Sequence, residues 1–187
     1  TYDNNYMTYS TINSKKDSYM DMNQILNIKM EKDNSITVDT PHFNNVPLFI
    51  MLRAFGMVSD KDIIDYITNE PSDMDITNIL RISLNKIIPD DTKEISDTNI
   101  PIKEQEPAIS YLINKLKRYK KYTEVNEKNK ELQKRNHILY ILKNDILPHT
   151  GSNLIHKAHF ICMMVHKMLN VFLDRKKQDD RDLSLIH

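Results

Sequence analysis

A single cysteine among 187 residues, Cys162, leaves no internal disulfide framework and suits a reducing compartment. Two glycines are too few for the glycine-rich turns of the dinucleotide fingerprint or the P-loop, so nucleotide binding by those routes is excluded. No apolar run approaches the roughly 20 residues needed to cross a bilayer. The opening Thr1-Tyr2-Asp3-Asn4-Asn5 lacks a basic start, an apolar signal stretch and an initiator Met. The chain is therefore expected to be soluble, unsecreted and a piece of a longer polypeptide. An excess of charge is missing too, with 26 Lys+Arg against 26 Asp+Glu. With 40% apolar residues, wholly disordered behaviour is excluded. A chain this long buries about two-thirds of its unfolded surface, enough for one domain or one domain plus a fragment of another.

Overall neutrality conceals a gradient. Residues 1–59 carry 5 basic and 6 acidic side chains, residues 60–106 carry 5 and 12, and residues 107–187 carry 16 and 8. The C-terminal part is the candidate polyanion-facing surface; the plainer reading is a solvated helical face balanced by the acidic middle. Frequent Ile, Asn and Lys, residues of AT-rich codons, point to an AT-rich source genome.

The periodicities indicate an α+β, mainly α fold. Residues 1–21 are polar without a sustained period and read as irregular or edge structure. Ile25–Met30 and Ser35–Val38 form the one convincing β element, a hairpin around Glu31-Lys32-Asp33-Asn34. Pro47 suits the first turn of a buried helix over Leu48–Phe55, with Gly56 as its left-handed cap. Ser59-Asp60-Lys61-Asp62 and Ser72-Asp73-Met74-Asp75 each resemble a capping box opening a further helix. Residues 89–106 read as a long acidic loop. Pro107 opens a helix with an apolar stripe at Ile109, Leu112, Ile113 and Leu116, whose other side is basic through Lys121. A helix over about 124–147 carries Leu132, Leu139, Leu142 and Ile146, and another, over about 153–173, carries Ile161, Met164, Val165, Met168, Leu169 and Phe172.

Several constellations could carry chemistry. His156, His159, Cys162 and His166 lie three, three and four residues apart on one predicted helix, a nitrogen and sulfur set that zinc accepts. Ligands on consecutive turns of a single helix rarely converge tetrahedrally, however, and the plain reading is a core thiol with boundary histidines. Ser, His and Asp are plentiful, but no G-x-S-x-G elbow exists to build a hydrolase triad. Asp179, Asp180 and Asp182 could hold magnesium, yet with Arg181, Lys176 and Lys177 interleaved they read as a salt-bridged turn. Tyr111, Tyr119 and Tyr122 interleave with Lys115, Lys117, Arg118, Lys120 and Lys121, where cations can meet phosphates and rings can stack; the alternative is tyrosines at the core edge and lysines in solvent.

Two stretches carry a family likeness. Val46-Pro47-Leu48-Phe49-Ile50-Met51-Leu52-Arg53-Ala54-Phe55-Gly56-Met57-Val58-Ser59-Asp60-Lys61-Asp62-Ile63-Ile64 resembles the I-P-I-x-I-x-F-R-A-L-G-x-x-S-D-x-x-I segment of the second-largest, β-like subunit of eukaryotic, archaeal and large-DNA-virus RNA polymerases. Leu147-Pro148-His149, Lys157-Ala158-His159-Phe160 and Asp179-Asp180-Arg181-Asp182 are similar to its L-P-H, K-A-x-F and D-D-R-D landmarks, in the same order. The resemblance covers about residues 25–182 and implies the lobe domain. On that division residues 1–21 are a connecting segment, 22–155 the lobe, and 156–187 a helix and charged segment returning to the protrusion domain. Pro47, Arg53, Gly56, Asp60, Pro148, Asp179, Asp180, Arg181 and Asp182 would then be motif residues of structural importance. Leu183-Ser184-Leu185-Ile186-His187 departs from the family, which continues into His, an aromatic residue, Gly and a basic cluster.

The resemblance implies a module of a nucleotidyltransferase, flanking downstream DNA during transcription, that carries no catalytic residue or metal of its own. Magnesium would be held by the largest subunit. The implied partners are the largest and other polymerase subunits, initiation factors and DNA, with no membrane. The implied location is the nucleus, or a viral factory or virion in the cytoplasm, and the implied source a large DNA virus or an AT-rich protist. Two other classes stay open at this point: a stand-alone helical module binding nucleic acid or protein through Lys115–Lys121, and a metal-dependent hydrolase built on His159, Cys162 and His166.

Overall fold

A computed structural model describes residues 6–14, 24–70, 72–85, 102–116 and 127–175. Its sheet has four antiparallel strands in sequence order: β1 (Tyr6–Ser14), β2 (Gln24–Glu31), β3 (Ile36–Asp39) and β4 (Val46–Pro47). The hairpin is β2 and β3. Asp33 Oδ1 accepts from the backbone N–H and the hydroxyl of Ser35, at 3.0 and 2.7 Å, while Asn34 takes a positive φ. Leu26, Ile28, Met30, Ile36 and Val38 alternate inward, which sets the register, because a one-residue slip would turn them all to water. The sheet exceeds the expected hairpin, however. β1 pairs with β2 from Thr8 opposite Met30 to Ser14 opposite Gln24 and forms one edge. The segment is thus an edge strand rather than an irregular one.

Pro47 precedes α1 (Leu48–Ala54), every residue of which is buried, as its all-round apolar sequence requires. Gly56 closes it at φ +98°, a conformation that side chains disfavour, and an added Cβ would lie 3.3 Å from Ile155 Cδ1. Gly56→Val is therefore expected to cost at least about 1–2 kcal/mol, read as a lower urea midpoint. An unchanged midpoint would show that the turn relaxes freely.

Ser59 caps α2 (Asp60–Thr68), its hydroxyl accepting from the Asp62 N–H at 3.3 Å. At α3 (Met74–Asn85) the capping side chain is Asp73, which accepts from the Ile76 N–H at 3.2 Å, and not the neighbouring Ser72. α4 (Gln105–Lys115) begins two residues before Pro107, which occupies the third helical position, where no intrahelical N–H bond is lost. It ends at Lys115, where Leu116 is extended (φ −65°, ψ 117°); the remainder of the basic helix expected through Lys121 lies outside the described residues.

α5 (Glu127–Tyr140) runs into a π-helical turn (Ile141–Asp145), a left-handed Leu147 (φ 49°) and a short 3-10 turn (Pro148–Thr150). Leu142 and Ile146 are buried as expected, but Leu132 is exposed, lining an open groove between α5 and α4 with Ile109 and Ile113. Asn153 then caps α6 (Leu154–Phe172) by accepting from the Ile155 and His156 N–H groups at 3.0 and 3.4 Å. Ile12 of β1, the sheet, α1 to α4, the π turn and α6 share one hydrophobic cluster. At the end of α6 the Asp174 N–H bonds Val171 O and the Arg175 N–H bonds Asn170 O, with Asp174 left-handed (φ 55°), the pattern of a Schellman cap.

Candidate functional site

Among the described residues the charged side chains withdrawn from water are two cations, each used as a tie. Arg53 lies in the last turn of α1 and is fully buried. Its guanidinium donates to the carbonyl oxygen of Ile102, ahead of α4, and to the carboxylate of Asp60, in the first turn of α2. It also sits 5.9 Å from the ring centre of Phe49, one turn back. One side chain thus joins three elements. Gln105 Nε2 adds a bond to Ala54 O at 3.2 Å, docking the start of α4 on the end of α1.

Lys157 is the second tie. It lies in the first turn of α6, wholly buried, and its ammonium donates to Lys143 O at 2.6 Å and Ile146 O at 2.5 Å. A π turn followed by a left-handed residue leaves carbonyls without helical partners, and this lysine satisfies two of them. Next to it, His149 meets Phe160 edge-on at 5.0 Å. Burial first, and the Lys157 charge second, hold the His149 imidazole below its ordinary value.

The histidine and cysteine face of α6 does not converge. His159 stacks flat on Tyr66, with ring centres 4.0 Å apart. Cys162 Sγ lies 3.9 Å from Met57 Sδ in the core. His166 Nδ1 lies 2.7 Å from Ile67 O, a pure acceptor, so it donates; its Nε2 then accepts from Asn170 Nδ2 at 2.9 Å. Among the described residues no three His, Cys, Asp or Glu side chains are grouped to hold a metal ion. Burial pushes the Cys162 thiol up to about 12. At pH 8 on the order of one such thiol in ten thousand is ionised, so a disulfide reagent should leave the folded chain unmodified and react rapidly in urea. Rapid reaction under native conditions would contradict this burial.

Of the five proposed phosphate-facing residues the structure describes Lys115, whose Nζ stands 5.8 Å from the centre of the Tyr111 ring; Lys117, Arg118, Lys120 and Lys121 lie outside the described residues. Asp179, Asp180, Arg181 and Asp182 also lie outside them. Pro47, Arg53, Gly56, Asp60 and Pro148 all stand at helix ends or turns, where Arg53 and Asp60 are joined directly. Arg175 was legible only as part of a charged run, yet it reaches 102 residues back to bond both oxygens of Asp73, and it bonds Asp75 at 2.8 Å. That pairing holds the Asp73 carboxyl below its usual range. No helix among the described residues is long and apolar enough to cross a membrane.

Arg53 and Lys157 thus tie together the elements of an α+β, mainly helical domain. Residues 11–184 match the family model described as RNA polymerase Rpb2, domain 2. The chain is 33% identical over 173 residues to DNA-directed RNA polymerase subunit 2 of Acanthamoeba polyphaga mimivirus, a match covering 85% of this chain and 14% of that protein. It is 32% identical over 141 residues to DNA-directed RNA polymerase II subunit RPB2 of Encephalitozoon cuniculi, covering 74% and 10%, and 27% identical over 142 residues to its Schizosaccharomyces pombe counterpart, covering 74% and 10%. The chain thus spans 10–14% of the length of these relatives. It belongs to the RNA polymerase Rpb2 domain 2 family.

Proposed function

We propose that this chain is the lobe of the second-largest subunit of a DNA-directed RNA polymerase and forms one rim of the cleft that holds downstream DNA. The observation that supports the reading is the family match over residues 11–184, within which Arg53 and Asp60 form one tie between helices. On this reading residues 22–155 form the lobe, 1–21 are a connecting segment whose Ile12 packs into the lobe core, and 156–187, after the part of α6 that packs in the same core, return to the neighbouring protrusion domain. Nucleotidyl transfer belongs to the whole enzyme, with magnesium held by the largest subunit, and this chain supplies surface rather than chemistry. Its partners are the largest and other subunits, initiation factors and DNA, in a nucleus or in a viral factory or virion.

A cleft rim needs long-range attraction for the duplex without base contacts that would stall translocation. Lys115, Lys117, Arg118, Lys120 and Lys121 are the candidates for that attraction. If about three of them reach phosphates, log affinity should fall with log salt with a slope of about −3, and affinity should stay in the nonspecific range of roughly micromolar to 0.1 millimolar. Duplex titration at two salt concentrations, with Lys117, Arg118 and Lys121 together changed to Glu, reads both. Binding unaltered by the triple change would remove this segment from the DNA-facing surface.

A further inference from the structure

Two serines of this chain are followed by acids at both the first and the third position, in Ser59-Asp60-Lys61-Asp62 and Ser72-Asp73-Met74-Asp75. The two stretches read alike as capping boxes, yet the fold gives them different tasks. The Ser59 hydroxyl caps α2, and Asp60 beside it is held by the buried Arg53. At α3 the cap is Asp73, so Ser72 stands exposed with its hydroxyl outside the cap. Asp75, three positions on, is 67% exposed. An exposed serine with carboxylates at these two positions suits a kinase whose substrate groove is basic, because kinases choose substrates by complementary charge.

A cation already stands at this turn. Arg175, at the end of α6, bonds both oxygens of Asp73 and, at 2.8 Å, Asp75. A guanidinium binds phosphate through paired N–H donors, more strongly than it binds neutral groups. We propose that Ser72 is a phosphoacceptor for an acid-directed protein kinase, and that Arg175 holds the resulting phosphate and so fastens the turn between α2 and α3 to the end of α6. In the transfer the Ser72 oxygen bonds the γ-phosphorus of a nucleoside triphosphate, the bond to the departing diphosphate breaks, and the hydroxyl proton passes to the kinase. The phosphate brings a charge of about −1.5 to −2, which Asp73 and Asp75 repel and Arg175 attracts. Asp75, whose carboxylate lies mostly in water, is the partner that yields its bond to the newcomer.

The full 187-residue chain, incubated with ATP and a kinase of the casein kinase II type as the acid-directed probe, tests this. Mass spectrometry of its peptides should place phosphate on Ser72 and leave Ser59 unmodified. Asp75→Asn should slow uptake at Ser72 on the order of tenfold or more, the loss of one charge-assisted contact with the kinase. Equal rates in the two chains would overturn recognition through the acids. Uptake at Ser72 in a peptide of residues 66–80 but not in the folded chain would overturn the proposal, since the fold then withholds the hydroxyl; uptake at Ser59 in place of Ser72 would overturn it as well. In the phosphorylated chain the ³¹P titration of the phosphoserine should reach its midpoint at lower pH than in phosphorylated Arg175→Gln, because a nearby cation favours the dianion. Equal midpoints would overturn the part given to Arg175.

Discussion

Arg53→Ala is expected to destabilise the chain by about 3–5 kcal/mol, the range for removing a large side chain from a packed core. The ion pair is not the main reason. Asp60 is 38% exposed, so its carboxylate can return to water when its partner is lost, and the Coulombic part is correspondingly small. The cost comes from the space left beneath Phe49 and from Ile102 O, which loses its donor. Arg53→Met separates the two, because it fills much of the space without donating. It should cost about 1 kcal/mol, the low end for an unsatisfied acceptor, because Ile102 is half-buried. Urea midpoints of the two variants give the comparison. An alanine variant within about 0.5 kcal/mol of the parent, as at an ordinary surface site, would show that Arg53 is not the tie described here.

Lys157→Ala should be similarly costly, about 2–5 kcal/mol, since it opens a cavity and strands the carbonyls of Lys143 and Ile146. Lys157→Met keeps the apolar stem and removes the ammonium, and its effect should be concentrated at residues 141–149, seen as faster amide exchange there than in α1. The same variant has a pH signature. His149 is held below its ordinary value in the folded chain, so its contribution to stability is complete above the unfolded value of about 6.5 and is lost as pH falls towards the depressed folded one. Burial, the larger cause, remains in Lys157→Met, but the repelling charge is gone. The His149 midpoint should therefore rise and the acid-side loss become shallower. An unmoved midpoint in a ¹H–¹⁵N titration would place the Lys157 charge away from His149.

The strongly periodic parts of the fold were legible in the sequence. α1 is apolar on every side, α2 carries its serine cap, and the core stripe of α6 runs from Ile161 to Leu169. β1 was harder to recognise as part of a larger sheet, because Tyr-Met-Thr-Tyr-Ser-Thr-Ile-Asn-Ser has little apolar alternation and its strand rests on pairing with β2. β4 has two residues and no periodicity to read. Leu132 fitted the helical spacing, but spacing cannot say whether two helices close on each other or leave a groove between them. Ser72 and Asp73 are both good caps, and only the backbone geometry chooses between them.

At the candidate site the motif residues were visible and their work was not. Arg53 and Lys157 stood within the motif segments, whereas Ile102 O lies 49 residues from the first and Lys143 O 14 residues from the second, beyond what local pattern can connect. The segment after Leu116 kept a helical composition, yet Leu116 itself is extended and half-buried, which composition does not reveal.

Membership of a working polymerase is tested most directly by immunodepletion. An antibody raised against this chain, applied to a native extract of its source, should remove template-directed RNA synthesis and recover the largest polymerase subunit together with the chain. Recovery of the chain free of that subunit, with synthesis left in the supernatant, would contradict the reading.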